Sequence, residues 1–138
     1  MKFYNDEKQA IIERASFLVK RGYSIESDDY SIYFIGEEHT IQASVEPYSD
    51  EGNLYMVFPG IGRKLYSVAW MAVVNDDIDM RTYHFDQKSW ILFLLDYLEK
   101  NYEKLTDIIF CQRSYERIHQ YIEEKRRTMG LFKPDLTR

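Results

Sequence analysis

The chain holds one cysteine, Cys111, so it can form no internal disulfide, and a reducing compartment, the cytoplasm, is its expected setting. Histidine is nearly as scarce. His39, His84 and His119 include no pair at the i, i+4 spacing of a helical zinc site. Asp76, Asp77 and Asp79 crowd carboxylates together, but no glycine and no closing glutamate stand where a calcium loop requires them. No metal and no other cofactor is therefore expected.

Catalytic signatures are missing too. No serine lies in a Gly-x-Ser-x-Gly elbow. Cys111 and His119 would stand about two turns apart on one helix, too far to pair. Gly60-Ile61-Gly62-Arg63-Lys64 is rich in glycine, but it joins two strand-like segments. A phosphate cradle feeds a helix N-terminus, so a hairpin turn is the expectation here. No catalytic residue can be named.

Positive charge is in deficit, with 18 Lys and Arg against 23 Asp and Glu, a net of −5. That argues against nucleic-acid binding, which needs a basic surface to displace counterions. Apolar runs such as Trp90 to Leu95 are far too short to cross a bilayer, so no membrane partner is expected. Met1 to Lys8 has no apolar run of the signal-peptide kind.

What is present is a chain of 138 residues, 45% apolar, with twelve tyrosines. That is enough for one core, and no repeat, linker or low-complexity segment divides it. Residues 1–130 are expected to form a single α+β domain, with 131–138 as a C-terminal tail.

Asp6 and Gln9 have capping-box spacing, and Ile11, Ile12, Ala15, Leu18 and Val19 recur at helical period up to Lys20-Arg21-Gly22. This predicts a helix over about 6–21, ended by Gly22 in a left-handed conformation. Period-two alternation follows in four segments: 30–35, 41–46, 54–58 and 66–74. With short turns between them they predict a four-stranded antiparallel meander, its last strand long and apolar on both faces. A second helix is expected from Asp86, with Phe85 and Trp90 at hydrophobic-staple spacing. It is apolar almost all round and should lie across the sheet, with Trp70, Trp90, Phe93 and Leu94 largely buried beside Val68 and Ile41. From Asn101 on the pattern fits a long amphipathic helix, with a short strand over 106–111 as the alternative that its β-branched and aromatic content allows, and Ser114 is a candidate cap for a separate last helix in either case. The fold class is α+β: an N-terminal helix, a meander sheet, and one or two C-terminal helices packed on it.

Charge is distributed unevenly. Residues 1–80 hold 14 acids and 7 bases, and residues 81–138 hold 9 acids and 11 bases. Threading a meander places three acidic loops at one end of the sheet: Glu26, Asp28 and Asp29 before the first strand, Glu46, Asp50 and Glu51 in the second hairpin, and Asp76, Asp77 and Asp79 after the fourth strand. Such a rim makes a negative potential that can steer a basic protein partner. Tyr48, between the acids of the second hairpin, is the candidate aromatic anchor, with Tyr30 and Tyr55 near. The competing explanation is plain turn chemistry, since Asp and Asn favour turns.

The runs Gly22-Tyr23-Ser24-Ile25-Glu26, Ser31-Ile32-Tyr33-Phe34, Glu46-Pro47-Tyr48-Ser49-Asp50-Glu51 and Tyr66-Ser67-Val68-Ala69-Trp70 resemble the small acidic α+β immunity proteins of bacterial polymorphic-toxin gene clusters. The resemblance implies a protein that binds and blocks a cognate toxin and catalyses nothing. The alternatives are a small enzyme or ligand-binding protein with an unrecognised pocket, and a homodimeric scaffold subunit.

Overall fold

The computed structural model describes residues 3, 5–45, 52–60, 64–78 and 87–129. The expected tail 131–138 lies outside them, as does the proposed staple partner Phe85 and the cap Asp86. The fold is α+β, with an N-terminal helical segment, an antiparallel sheet and C-terminal helices packed on it. The elements in chain order are α1 (Asn5–Arg14), α2 (Ser16–Lys20), β1 (Ser24–Ser27), β2 (Ser31–Ile35), β3 (Thr40–Val45), β4 (Gly52–Val57), β5 (Leu65–Ser67), α3 (Val68–Asp76), α4 (Gln87–Lys100), α5 (Tyr102–Leu105) and α6 (Ile108–Met129).

The predicted first helix is present in two parts. At Ala15 the backbone tightens, and Leu18 N–H bonds the carbonyl of Ala15, three residues back. Gly22 ends α2 with φ +99°, and the N–H groups of Gly22 and Tyr23 return to the carbonyls of Val19 and Leu18. That pair of bonds closes the helix with its last carbonyls satisfied, a geometry that glycine adopts without steric cost.

The sheet is a meander of five strands in the order β1-β2-β3-β4-β5, all antiparallel, one more than the alternation indicated. The additional strand is β1. Its residues Ser24, Glu26 and Ser27 are exposed and only Ile25 is half-buried, so no buried face marks it in the sequence. The predicted long fourth strand is mostly something else. Only Leu65–Ser67 pairs with β4, and Val68–Asp76 is the helix α3. Ser67 makes the switch: its side chain accepts the Trp70 N–H at 3.2 Å and so caps α3. A short run that is apolar on every side has no period to separate a buried strand from a buried helix. Segment 106–111 is helical from Ile108, whose turn is opened by Asp107 accepting the Ile109 N–H at 2.9 Å. Ser114 starts no separate helix; it is buried within α6, where its hydroxyl accepts from Asn75 Nδ2 of α3.

One hydrophobic core joins the sheet and the helices. Ile32, Phe34, Ile41, Ala43, Val45, Leu54, Met56 and Tyr66 point into it from the strands, and Ile11, Leu18, Val68, Met71, Ile91, Leu94, Leu95, Leu98 and Cys111 from the helices. Helix α4 packs on β4 and is flanked by α1 and α3, as its all-round apolar surface requires. Leu94, Val68 and Ile41 are buried as expected, whereas Trp70, Trp90 and Phe93 are half-buried at the margin. Trp90 and Phe93 stack there with centroids 5.4 Å apart. Among the described residues no helix is long and apolar enough to cross a membrane.

Candidate functional site

Half of the predicted acidic rim lies within the described residues. Glu46, Tyr48, Asp50, Glu51 and Asp79 lie outside them. Glu26, Asp28 and Asp29 do come together, on β1 and the turn into β2, and all three are exposed. Asp28 has a structural duty as well. Its Oδ1 accepts the N–H groups of Tyr30 (2.9 Å) and Ser31 (2.8 Å), so it builds the turn. Tyr30, beside it, is 42% exposed. Asp76 and Asp77 do not follow a strand. They end α3, where Asp77 takes the left-handed conformation with φ +54° and Asp76 accepts the hydroxyl of Tyr97 from α4. The meander argument that put them beside the hairpin turns does not apply to a helix end.

The sheet has a second face. Strand residues alternate, and partners in register point the same way. Opposite the core, Glu26, Tyr33, Gln42, Tyr55 and Ser67 form one row across all five strands. Ser24, Ile35, Thr40, Val57 and Leu65 form the next. Tyr33, Gln42, Ile35 and Val57 are half-buried on this face, and the core residues of the described helices gather on the other. Met71, within the segment 66–74 expected as a strand, belongs to α3 and is buried. Ser31, Ser44 and Gln42 hydrogen-bond one another along the face, which holds its polar side chains in place.

At the far end of the sheet from Asp28 lies a cluster that the sequence did not announce. The β2–β3 turn, residues 36–39, carries His39, and its Nε2 is hydrogen-bonded to the Tyr23 hydroxyl, which in turn lies 2.8 Å from the Tyr102 hydroxyl. The Arg21 guanidinium sits 3.8 Å over the Tyr102 ring. Burial holds the His39 pKa below its ordinary value, against the opposing charge of Glu38, and burial pushes the Tyr23 hydroxyl well up. A neutral imidazole with its hydrogen on Nδ1 accepts from Tyr23, which then accepts from Tyr102; the other tautomer reverses both bonds. Gly36 makes room for this arrangement, since a Cβ on it would stand 2.8 Å from the Tyr23 ring.

His39 also stands second in a file of rings, Tyr23–His39–Phe58–Tyr66–Tyr115, with successive centroids 5.6, 5.7, 5.9 and 4.8 Å apart. It closes one end of the core. Two shallow clefts flank His39: one of about 240 Å³ lined by Glu38, His39, Phe58, Pro59, Thr106 and Ile108, the other of about 280 Å³ on the Gly36 side. Both fall just short of the volume, roughly 300–1,000 Å³, that usually holds a small-molecule ligand.

Cys111 is buried. Its thiol donates to the Leu105 carbonyl, and burial pushes its pKa up to about 12, the reverse of what a nucleophile needs. Among the described residues no group of three or more His, Cys, Asp or Glu side chains is placed to hold a metal ion. The chain matches no family model, no curated protein and no solved structure.

Proposed function

We propose that this chain is a cytoplasmic protein-binding domain that holds a basic protein partner against the outer face of its sheet and the acidic β1–β2 hairpin. The observation that carries the reading is the row Glu26–Tyr33–Gln42–Tyr55, which lies on the face turned away from the core and ends at the acids Glu26, Asp28 and Asp29. Tyrosines on a rigid sheet offer a large contact area at little entropic cost, and a charged margin speeds encounter. An inhibitor or immunity protein of the kind the sequence resembles is the concrete form of this reading: its partner would be a toxin with a basic surface.

Affinity capture from the native cell tests it, using the wild-type chain beside the double variant Tyr33→Ala/Gln42→Ala. The expected result is a basic protein retained by the wild type, released by moderate salt and lost from the variant. A partner held equally by both chains would sink the reading.

The half-buried His39 between two clefts favours a second reading, a site for a small polar ligand. A ligand screen followed by His39 ring resonances distinguishes it from the first, which leaves those resonances unmoved.

A further inference from the structure

The two edges of the sheet are treated differently. At β5 the outer edge is closed by a side chain: the Tyr115 hydroxyl of α6 accepts the Ser67 N–H at 2.7 Å and donates to the Leu65 carbonyl at 2.9 Å. One phenol thus occupies both main-chain groups that a further strand would use there.

At β1 the corresponding groups face outward. Asp28 N–H bonds the Ser31 carbonyl, so residues 28 and 31 are a hydrogen-bonded pair. Counting back along the register, 26 with 33 and 24 with 35 are bonded pairs as well. The N–H and C=O groups of Ile25 and Ser27 therefore point away from β2. Just beyond the strand, in the turn, Asp29 gives its carbonyl to the main-chain N–H of Phe3 at 2.9 Å, so a backbone segment from outside the sheet bonds the turn that adjoins this edge.

We infer that the β1 edge takes up an extended, basic segment of the partner as a sixth strand, with main-chain bonds to Ile25 and Ser27. This rests on the protein-binding reading above and gives that partner a shape. Side-chain chemistry selects the segment. Glu26 lies on the outer face, so the residue opposite it is a lysine or arginine; Ile25 leans toward the core, so its opposite number is apolar. Asp28 and Asp29 extend the same demand for positive charge. A second copy of the chain is the poorer occupant, since antiparallel pairing about a two-fold axis normal to the sheet sets Glu26 of one copy opposite Glu26 or Asp28 of the other.

The test uses the full chain, isotope-labelled, with two short capped peptides of alternating valine–lysine and valine–glutamate, read by amide hydrogen exchange. The valine–lysine peptide should slow exchange at Ile25 and Ser27 and bind about tenfold or more tightly than its acidic counterpart. Ser27→Pro, at an outward N–H that an edge strand can lose, should abolish that binding. Glu26→Lys, at an exposed position, should reverse the peptide preference with the fold intact. Unchanged exchange at Ile25 and Ser27 under saturating peptide overturns the inference, as does equal affinity for both peptides. So does protection of those amides before any peptide is added; sedimentation then tells whether a second copy or the chain's own N-terminal residues hold the edge. If the edge stays empty while partner capture still depends on Tyr33 and Gln42, the binding reading survives without the sixth strand.

Discussion

Gly36 and Tyr23 are packed so closely that a single added carbon on Gly36 would stand 2.8 Å from the tyrosine ring and 3.1 Å from the His39 carbonyl. Tyr23 is buried and tied to His39 and Tyr102, so it has little freedom to retreat. Gly36→Ala should therefore destabilise the fold by about 1–3 kcal/mol, the usual cost of overpacking. Urea unfolding measures it. An unchanged midpoint would mean that the β2–β3 turn shifts freely, and that the His39 cluster is looser than its distances indicate.

His39 makes stability depend on pH in a defined direction. Burial lowers its pKa in the folded chain, while the unfolded chain binds a proton near pH 6.5. The unfolded state therefore holds more protons below that pH, and stability falls as pH drops through 6.5 toward the folded value. Above it this group contributes no slope. Glu38 opposes the shift. Denaturation midpoints between pH 8 and pH 5 should decline for the wild type and decline less for His39→Gln; parallel curves would assign the slope to other groups.

Tyr115→Phe removes one hydroxyl and releases two main-chain groups of β5. The expected loss is about 1–3 kcal/mol, the cost of a buried donor left unsatisfied, because Ser67 is buried and only the exposed Leu65 can turn its carbonyl to water. The variant should also expose the β5 edge. Faster amide exchange at Ser67 with the rest of the sheet unchanged is the signature, and a uniform rise across all strands would instead indicate global weakening.

The acids of the β1–β2 hairpin should divide into two kinds. Asp28→Ala removes the acceptor for the Tyr30 and Ser31 N–H groups and should cost about 1 kcal/mol. Glu26→Gln and Asp29→Asn should change stability by no more than about 0.5 kcal/mol. Their effect should appear in association with the captured partner, as a slower on-rate with a flatter salt dependence. Wild-type kinetics at low salt in the Glu26→Gln/Asp29→Asn double variant would reduce these acids to turn chemistry.

Much of this architecture was legible in the residues. Gly22 marked the end of the helical segment because only a left-handed residue closes it as it does. The strands 31–35, 40–45 and 52–57 were legible because one face of each is buried and the other is not. Where burial gave no alternation the reading failed: β1 is too exposed, and α3 too apolar on all sides, for either period to appear. Ser67 was the available signal at α3, a capping residue directly before an apolar run. The His39 cluster was illegible for a different reason. Its partners lie 16 residues away in Tyr23, which itself meets Tyr102 across 79 residues, and no local spacing encodes such a meeting.

Cys111, placed where α5 gives way to α6 and covered on every side, has one more consequence. A thiol that is sealed in the native state and held as S–H by its surroundings reacts with an aromatic disulfide reagent only when α6 lifts from the core or the whole chain opens. The rate of that colour change is then a direct reading of how often the core breathes. The molecule carries its own clock for opening, at a single address and with no label introduced.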